Sequence, residues 1–281
     1  MTAPMIRQLA DLRAQVASWK AAGETIGLVP TMGALHQGHL SLVAAAKAAC
    51  DRVIVTIFVN PRQFNSAEDL ANYPKTEEQD AQKLKPFNVD ALYVPDGNQI
   101  YPEGFSTTVS VGGVVDVLCG AARPGHFDGV ATVVTKLFLQ SQADQAFFGE
   151  KDFQQVQVVT RLARDLDIPI KVVPCPTIRE EDGLAMSSRN LLLSDRARVY
   201  APELNRAMED VAESVLAGND MAQARAAALA RLERAGFTKV DYFELRASDD
   251  LRLLQSPDVP ARLFVAAWLA GVRLIDNIAV G

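Results

Sequence analysis

The chain has 281 residues, 49% of them hydrophobic, with 28 basic against 34 acidic side chains and a formal net charge of −6. That length suits one large domain or two modest ones, and the apolar share excludes a disordered chain. The acidic balance argues against the basic footprint of a nucleic-acid binder, but leaves room for a local phosphate site.

The three cysteines, Cys50, Cys119 and Cys175, are far apart and form no CxxC pair. That pattern argues against a disulfide framework and a structural zinc site, and suits a reducing cytosol. The opening stretch, MTAPMIRQLADLRAQV, reads as an amphipathic helix without a signal-peptide core. No stretch approaches the roughly 18 apolar residues of a membrane span. A cytoplasmic protein with no membrane partner is expected.

In chain order, short apolar runs at Ile26–Val29, Val53–Val59, Asp90–Val94 and Ala146–Phe148 alternate with helical patterns over 39–50, 68–86, 129–141 and 152–166. A fifth run, Ile170–Val173, precedes two prolines. Near-continuous apolar strands alternating with helices predict an α/β, Rossmann-like doubly wound parallel sheet. The stretch from Pro174 to Gly183 reads as a linker. Beyond it, long helices over 195–217 and 219–235 precede strands at Val240–Leu245, Arg262–Trp268 and Val272–Ile275, with Ala270-Gly271 as a hairpin turn. The expected division is a Rossmann-like domain over 1–180 and a smaller α+β C-terminal domain over 181–281.

Ligands of an open parallel sheet bind beyond the carboxyl ends of its strands. Three polar or glycine-rich turns fall there: Pro30 to His39, Asn60 to Gln63, and Gly149 to Asp152. In the first, Gly38 at a helix start allows close backbone approach, and the helix N-terminus favours an anion. His39 falls in the first helical turn and His36 just before it, so both rings can serve a bound phosphate. The plainer reading makes one histidine a helix cap and the other a surface residue. A metal site is not expected, since there is no HExxH glutamate or nearby third ligand. Lys151 sits at the third strand-to-helix junction, Asp152 reads equally as an N-cap, and Gln154 and Gln155 face different ways, one toward a pocket and one toward solvent. Met186-Ser187-Ser188-Arg189-Asn190, approached through a pliable Glu-Asp-Gly-Leu, reads as a mobile phosphate loop.

Together, PTMGALHQGH (30–39), FVNPRQF (58–64), RPGHF (123–127), FGEKDFQQ (148–155), MSSRN (186–190) and AAWLAGVRLIDN (266–277) resemble the pantothenate synthetase (pantoate–β-alanine ligase) family over most of the chain. HQGH is similar to the HIGH motif of nucleotidyltransferases, and MSSR to the KMSKS loop of class I tRNA synthetases. The resemblance implies an ATP- and pantoate-binding Rossmann-like domain, a smaller lid domain and a homodimer. It also implies ATP with Mg²⁺, and ligation of pantoate to β-alanine through a pantoyl adenylate.

By match, Met32, Gly33, Ala34, Leu35, His36, Gln37, Gly38 and His39 line the ATP site, with Gly149, Glu150, Lys151, Asp152, Ile178, Met186, Ser187, Ser188 and Arg189. His36, His39, Lys151 and Arg189 carry the catalytic charge stabilisation, with the family's proton donor falling on His39. Gln63 touches both pantoate and β-alanine, and Gln155 holds pantoate. Arg123 and His126 receive no catalytic role. Some relatives place an acid where this chain has Cys119, which is expected to be a packed residue. Competing readings are an adenylyltransferase that leaves AMP on its product, a non-catalytic nucleotide sensor and a tRNA synthetase fragment. The Gln63/Gln155 pair and the acidic charge weigh against them.

Overall fold

The computed structural model describes residues 4–281. The chain forms two compact units. One runs to Gly112 and takes in Arg123–Gly149 and Gln155–Pro176; the other comprises Gly113–Ala122, Glu150–Gln154 and Thr177–Gly281.

The first unit begins with β1 (Met5–Ile6), α1 (Leu9–Ala21), β2 (Ile26–Thr31), α2 (Gln37–Ala49) and β3 (Arg52–Ile57). The short helices α3 (Ala67–Ala71) and α4 (Glu77–Leu84), β4 (Ala91–Tyr93) and α5 (Gly97–Ile100) follow. After α6 (Leu118–Ala122), which belongs to the second unit, come α7 (His126–Ser141), β5 (Gln145–Gly149), α8 (Phe153–Asp165) and β6 (Lys171–Cys175). The six strands are all parallel, in the order β1-β4-β3-β2-β5-β6. The doubly wound sheet expected from the alternation is therefore present. Its strand order reverses between β2 and β5, so their carboxyl ends are the switch point where such folds bind ligands.

The second unit continues with α9 (Asp195–Tyr200), α10 (Glu203–Leu216), α11 (Met221–Arg234), β7 (Phe237–Ala247), β8 (Ala261–Leu269) and β9 (Val272–Val280). The three strands form an antiparallel sheet. Leu263, Val265, Ala267 and Leu274 from one sheet face share a core with Leu204, Met208 and Val211 of α10 and Leu232 of α11. Ala270 (φ 50°) and Gly271 (φ 80°) both take the left-handed conformation that a two-residue hairpin requires.

Several expected boundaries move, each for a local reason. The N-terminal segment is not one helix: Met5–Ile6 pairs with β4, and the helix starts at Leu9, while Met1–Ala3 lie outside the described residues. The helix expected over 68–86 is interrupted around Pro74, because proline disfavours helical backbone at the residue before it. Likewise, the helix expected over 195–217 is split at Ala201–Pro202. The supposed linker is ordered: Pro174 and Cys175 finish β6, an edge strand that tolerates proline.

Candidate functional site

The turn after β2 is built around one buried carboxylate. Asp80 of α4 is fully buried and accepts from Ala34 N (2.9 Å), Leu35 N (2.8 Å) and Thr76 Oγ1 (2.9 Å). Gly33 (φ 86°) and Ala34 (φ 51°) are both left-handed, which reverses the chain after Thr31 and turns these N–H groups toward the carboxylate. Lys83 Nζ closes the same turn on Leu35 O at 2.5 Å. The sequence reading missed Asp80 because it sits in a run, TEEQDAQKL, whose acids look like a solvated helix face.

The histidines follow. His36 is the N-cap of α2, and its Nδ1 accepts from Gly38 N at 3.1 Å. The Nδ1 of His39, three residues on, accepts from His36 N at 3.3 Å. The pair forms a reciprocal capping box, with ring centroids 4.1 Å apart. A backbone N–H can donate only to an unprotonated ring nitrogen, so these two bonds fix both rings as the neutral tautomer with hydrogen on Nε2. The capping role considered for one histidine is thus shared by both, and neither is a plain surface residue. Gln37 and Gly38 form the first helical positions, at the helix end that favours an anion.

Gln63 ends a 3₁₀ turn, Pro61–Gln63, beyond β3. Its Nε2 lies 3.1 Å from Met32 Sδ, so the turns after β2 and β3 meet there. Its Oε1 accepts from Asn60 Nδ2 at 3.0 Å. Asn60 is 1% exposed, and its Oδ1 accepts from Tyr101 Oη at 2.8 Å. This network directs the donor end of the Gln63 amide, rather than its oxygen, away from Asn60. The Gln63 backbone carbonyl lies 2.8 Å from His126 Nδ1 and accepts from Arg123 Nη2 at 3.1 Å. The RPGHF stretch therefore holds the Gln63 turn, a job for Arg123 and His126 that spacing alone did not reveal. Gly129 of α7 packs under the same turn, where a Cβ would overlap Arg62 O.

Gln155 is half-buried near the start of α8. Its neighbour Gln154 is not the solvent-facing member of the pair. Gln154 is buried, and its amide ties down the segment before α6, accepting from Cys119 N (3.0 Å) and donating to Val114 O and Val117 O (each 2.8 Å). Cys119 is buried as expected, with Sγ 3.1 Å from Tyr242 Oη and 3.5 Å from Arg273 Nη1.

In the second unit, Glu150–Asp152 forms a 3₁₀ turn. Lys151 Nζ lies 3.7 Å from the Asp152 carboxylate, and Glu150 pairs with Arg262 at 2.8 Å. The Glu150 carboxylate is thus engaged within the protein. Asp152 makes an ion pair, beyond the N-cap reading it allowed.

Ile178 and Met186 are brought together: Met186 N donates to Ile178 O at 3.0 Å, and Arg179 bridges Ala185. Between them Gly183 (φ 94°) makes the turn. Arg198 grips Glu180 and Asp182, both at 2.6 Å. The segment expected to be a pliable approach is a cross-linked hairpin. Ser187 Oγ accepts from Arg189 N at 3.2 Å, which starts the short helix Ser188–Leu192. Asn190 anchors it to Glu180 at 2.7 Å.

A parallel sheet whose switch-point strand leads into a helix N-terminus capped by two histidines defines a Rossmann-like α/β protein. The profile of one family, described as pantoate-beta-alanine ligase, matches residues 4–279. The pantothenate synthetase of Roseobacter denitrificans is 70% identical over 280 residues, covering 100% of this chain and 99% of the relative. That of Ruegeria pomeroyi is 66% identical, covering 100% and 98%. Among solved structures, pantothenate synthetase from Thermus thermophilus superposes with a TM-score of 0.93 at 44% identity, covering 99% of each chain. Pantoate-beta-alanine ligase from Francisella tularensis, solved in complex with beta-gamma ATP and beta-alanine, gives a TM-score of 0.84 at 34% identity, covering 99% and 97%. The chain belongs to the pantoate–β-alanine ligase family.

Proposed function

We propose that this chain joins pantoate to β-alanine in two ATP-dependent steps. First, a carboxylate oxygen of pantoate attacks the α-phosphorus of ATP, and the bond to pyrophosphate breaks. The amine of β-alanine then attacks the acyl carbon, the bond to AMP breaks, and the amine loses a proton as the amide of pantothenate forms. Family membership supports the reaction. The single observation that carries it to this site is the Gln63 amide, set 3.1 Å from Met32 beside the histidine-capped turn. A neutral, oriented donor for a hydroxy acid thus adjoins a cradle for phosphate.

The first step brings two anions together, so phosphate charge must be masked before the carboxylate approaches. His36 and His39, as neutral Nε2–H donors, Lys151 and Arg189 supply that masking, with the dipole at the start of α2. Each such donor contributes about 3–4 kcal/mol. The carboxylate is already ionised and needs no base, so positioning by Gln63 and Gln155 supplies most of the rest, roughly 7–11 kcal/mol. An amide suits a hydroxy acid because it donates and accepts without adding charge. Met32–Leu35, Gly149, Glu150, Asp152, Ile178 and Met186–Ser188 complete the nucleotide surroundings in this reading.

Among the described residues no three His, Cys, Asp or Glu side chains gather as a metal cage. The donors present suit a triphosphate that brings its own Mg²⁺, a hard cation held by phosphate oxygens, which would supply further charge neutralisation. The reading extends to a cytoplasmic homodimer. Family membership supports it; among the described residues no helix is long and apolar enough to cross a membrane.

The deciding experiment is exchange of labelled pyrophosphate into ATP with pantoate and Mg²⁺ but without β-alanine. Exchange, followed by pantothenate and AMP when β-alanine is added, is the expected result. A folded, ATP-binding protein that shows no pantoate-dependent exchange would overturn the adenylate route.

A further inference from the structure

Lys151 projects from a turn whose backbone is held by a residue 126 positions away. In the β8–β9 register Asn277 pairs with Phe264, and side chains alternate along a strand, so Arg262, Phe264 and Asn277 share one sheet face. On that face Asn277 Nδ2 donates to two successive carbonyls, Glu150 O at 2.8 Å and Lys151 O at 2.9 Å. Its Oδ1 accepts from Arg262 Nη1. The other guanidinium nitrogen of Arg262 reaches Glu150 Oε2 at 2.8 Å, and its charge lies 4.1 Å from the Phe153 ring centroid. Asn277 is only 3% exposed.

This is a clamp on the peptide that carries the lysine. An amide that spends its donors on adjacent carbonyls fixes the two peptide planes that flank the Lys151 Cα, and its own oxygen is fixed by Arg262. The Lys151 side chain is 18% exposed, so its stem is enclosed and its ammonium has little freedom to correct a misplaced backbone. The opposite strand face repeats the logic. Asp276, bonded through Oδ1 to Asn277 N at 2.7 Å, forks onto Arg179 at 2.6 and 3.0 Å, beside Ile178.

We infer that Asn277 is a positioning residue for nucleotide binding, acting through Lys151 by holding the Glu150 and Lys151 carbonyls. The inference rests on the reading of Lys151 as a phosphate-binding group. Asn277→Asp preserves shape but sets a carboxylate against two carbonyl oxygens, and Arg262 remains as its partner.

The test is a double-mutant cycle of Asn277→Asp and Lys151→Ala. Its readouts are calorimetric binding of a non-hydrolysable ATP analogue and pantoate-dependent pyrophosphate exchange. Asn277→Asp should lower exchange about 10²-fold, the scale of a misplacement near 1 Å, and weaken analogue binding about tenfold, leaving the pantoate KM within about twofold. In the Lys151→Ala background its effect should shrink to less than about twofold. Equal losses in both backgrounds, a matching rise in the pantoate KM, or full activity in the folded variant would each overturn the inference. Should Asn277→Asp fail to fold, Asn277→Ser, which retains one donor, carries the same cycle. Absent exchange in the unmutated protein would count against the ligase reading alone, since the binding cycle still decides the role of Asn277.

Discussion

His36 and His39 are locked to each other through the backbone of the helix they begin: each Nδ1 accepts a main-chain N–H, and the ring centroids stand 4.1 Å apart. The cap fixes the tautomer, and the tautomer fixes which ring nitrogen can donate to a phosphate. Structure and chemistry can be separated by substitution. His36→Ala should cost about 1 kcal/mol of stability for the lost cap. His36→Asn, whose side-chain oxygen can still cap, should recover most of that stability without recovering adenylation. Thermal melts and pyrophosphate exchange on the two variants check this; if Asn restored both, His36 would be a cap alone.

Asp80 performs at the β2 turn what Asn277 performs at the Lys151 turn. Replacing it with Asn would set an NH₂ among three donors, leaving one buried clash of like polarity. We expect Asp80→Asn to lose about 3 kcal/mol of stability in denaturant titration. In the protein that still folds, ATP affinity should fall more than pantoate affinity. An unchanged unfolding midpoint would show that the turn holds its shape without the carboxylate.

Gly129→Ala tests the seat of the Gln63 turn. The added methyl would overlap Arg62 O, a backbone atom that cannot swing aside, so the Pro61–Gln63 turn must shift. The overpacking should cost about 1–3 kcal/mol. The pantoate KM should rise about tenfold, with the ATP KM changing less than about twofold, since the shift acts on substrate binding. Gln155→Ala, with no backbone clash, should show the same kinetic selectivity with little loss of stability. Equal losses for ATP and pantoate would refute both substrate assignments.

The acid side of the stability curve should depend on Asp241. Burial alone would raise the pKa of this carboxylate, but bonds from Lys239 (2.8 Å), Arg273 (2.7 Å) and Trp268 (3.1 Å) outweigh burial and hold it below the usual carboxylate value. A depressed folded-state pKa means that the stabilisation is fully present above the unfolded value, about pH 4, and is lost as pH falls through the lower folded value. The Tm difference between the unmutated protein and Asp241→Asn should therefore be widest at neutral pH and narrow as pH falls from the unfolded value through the lower folded one. A gap that stays constant into acid would remove Asp241 from the linkage.

The sequence by itself determined the alternation of apolar strands and helices, hence the parallel sheet, and also the motifs HQGH, NPRQF, GEKD and MSSR. These signals are local: periodicity within a segment, and residues whose chemistry and spacing are read side by side. Proline breaks at Pro74 and Pro202 were equally local, and were outweighed by the helical pattern around them. Only the tertiary structure decided which polar groups are satisfied, and by which partners. Asp80 looked like one more solvent-facing acid until α4 placed it under the β2 turn. Gln154 and Gln155, adjacent in sequence, separated into a buried fastening and a half-buried neighbour. Arg123 and His126 gained a purpose when α7 came against the Gln63 turn, and Asn277 when β9 met the Lys151 turn. The physical reason is the same in each case. A buried polar group must find a partner, and for these residues the partner lies tens to more than a hundred positions away, where no local pattern can reveal it.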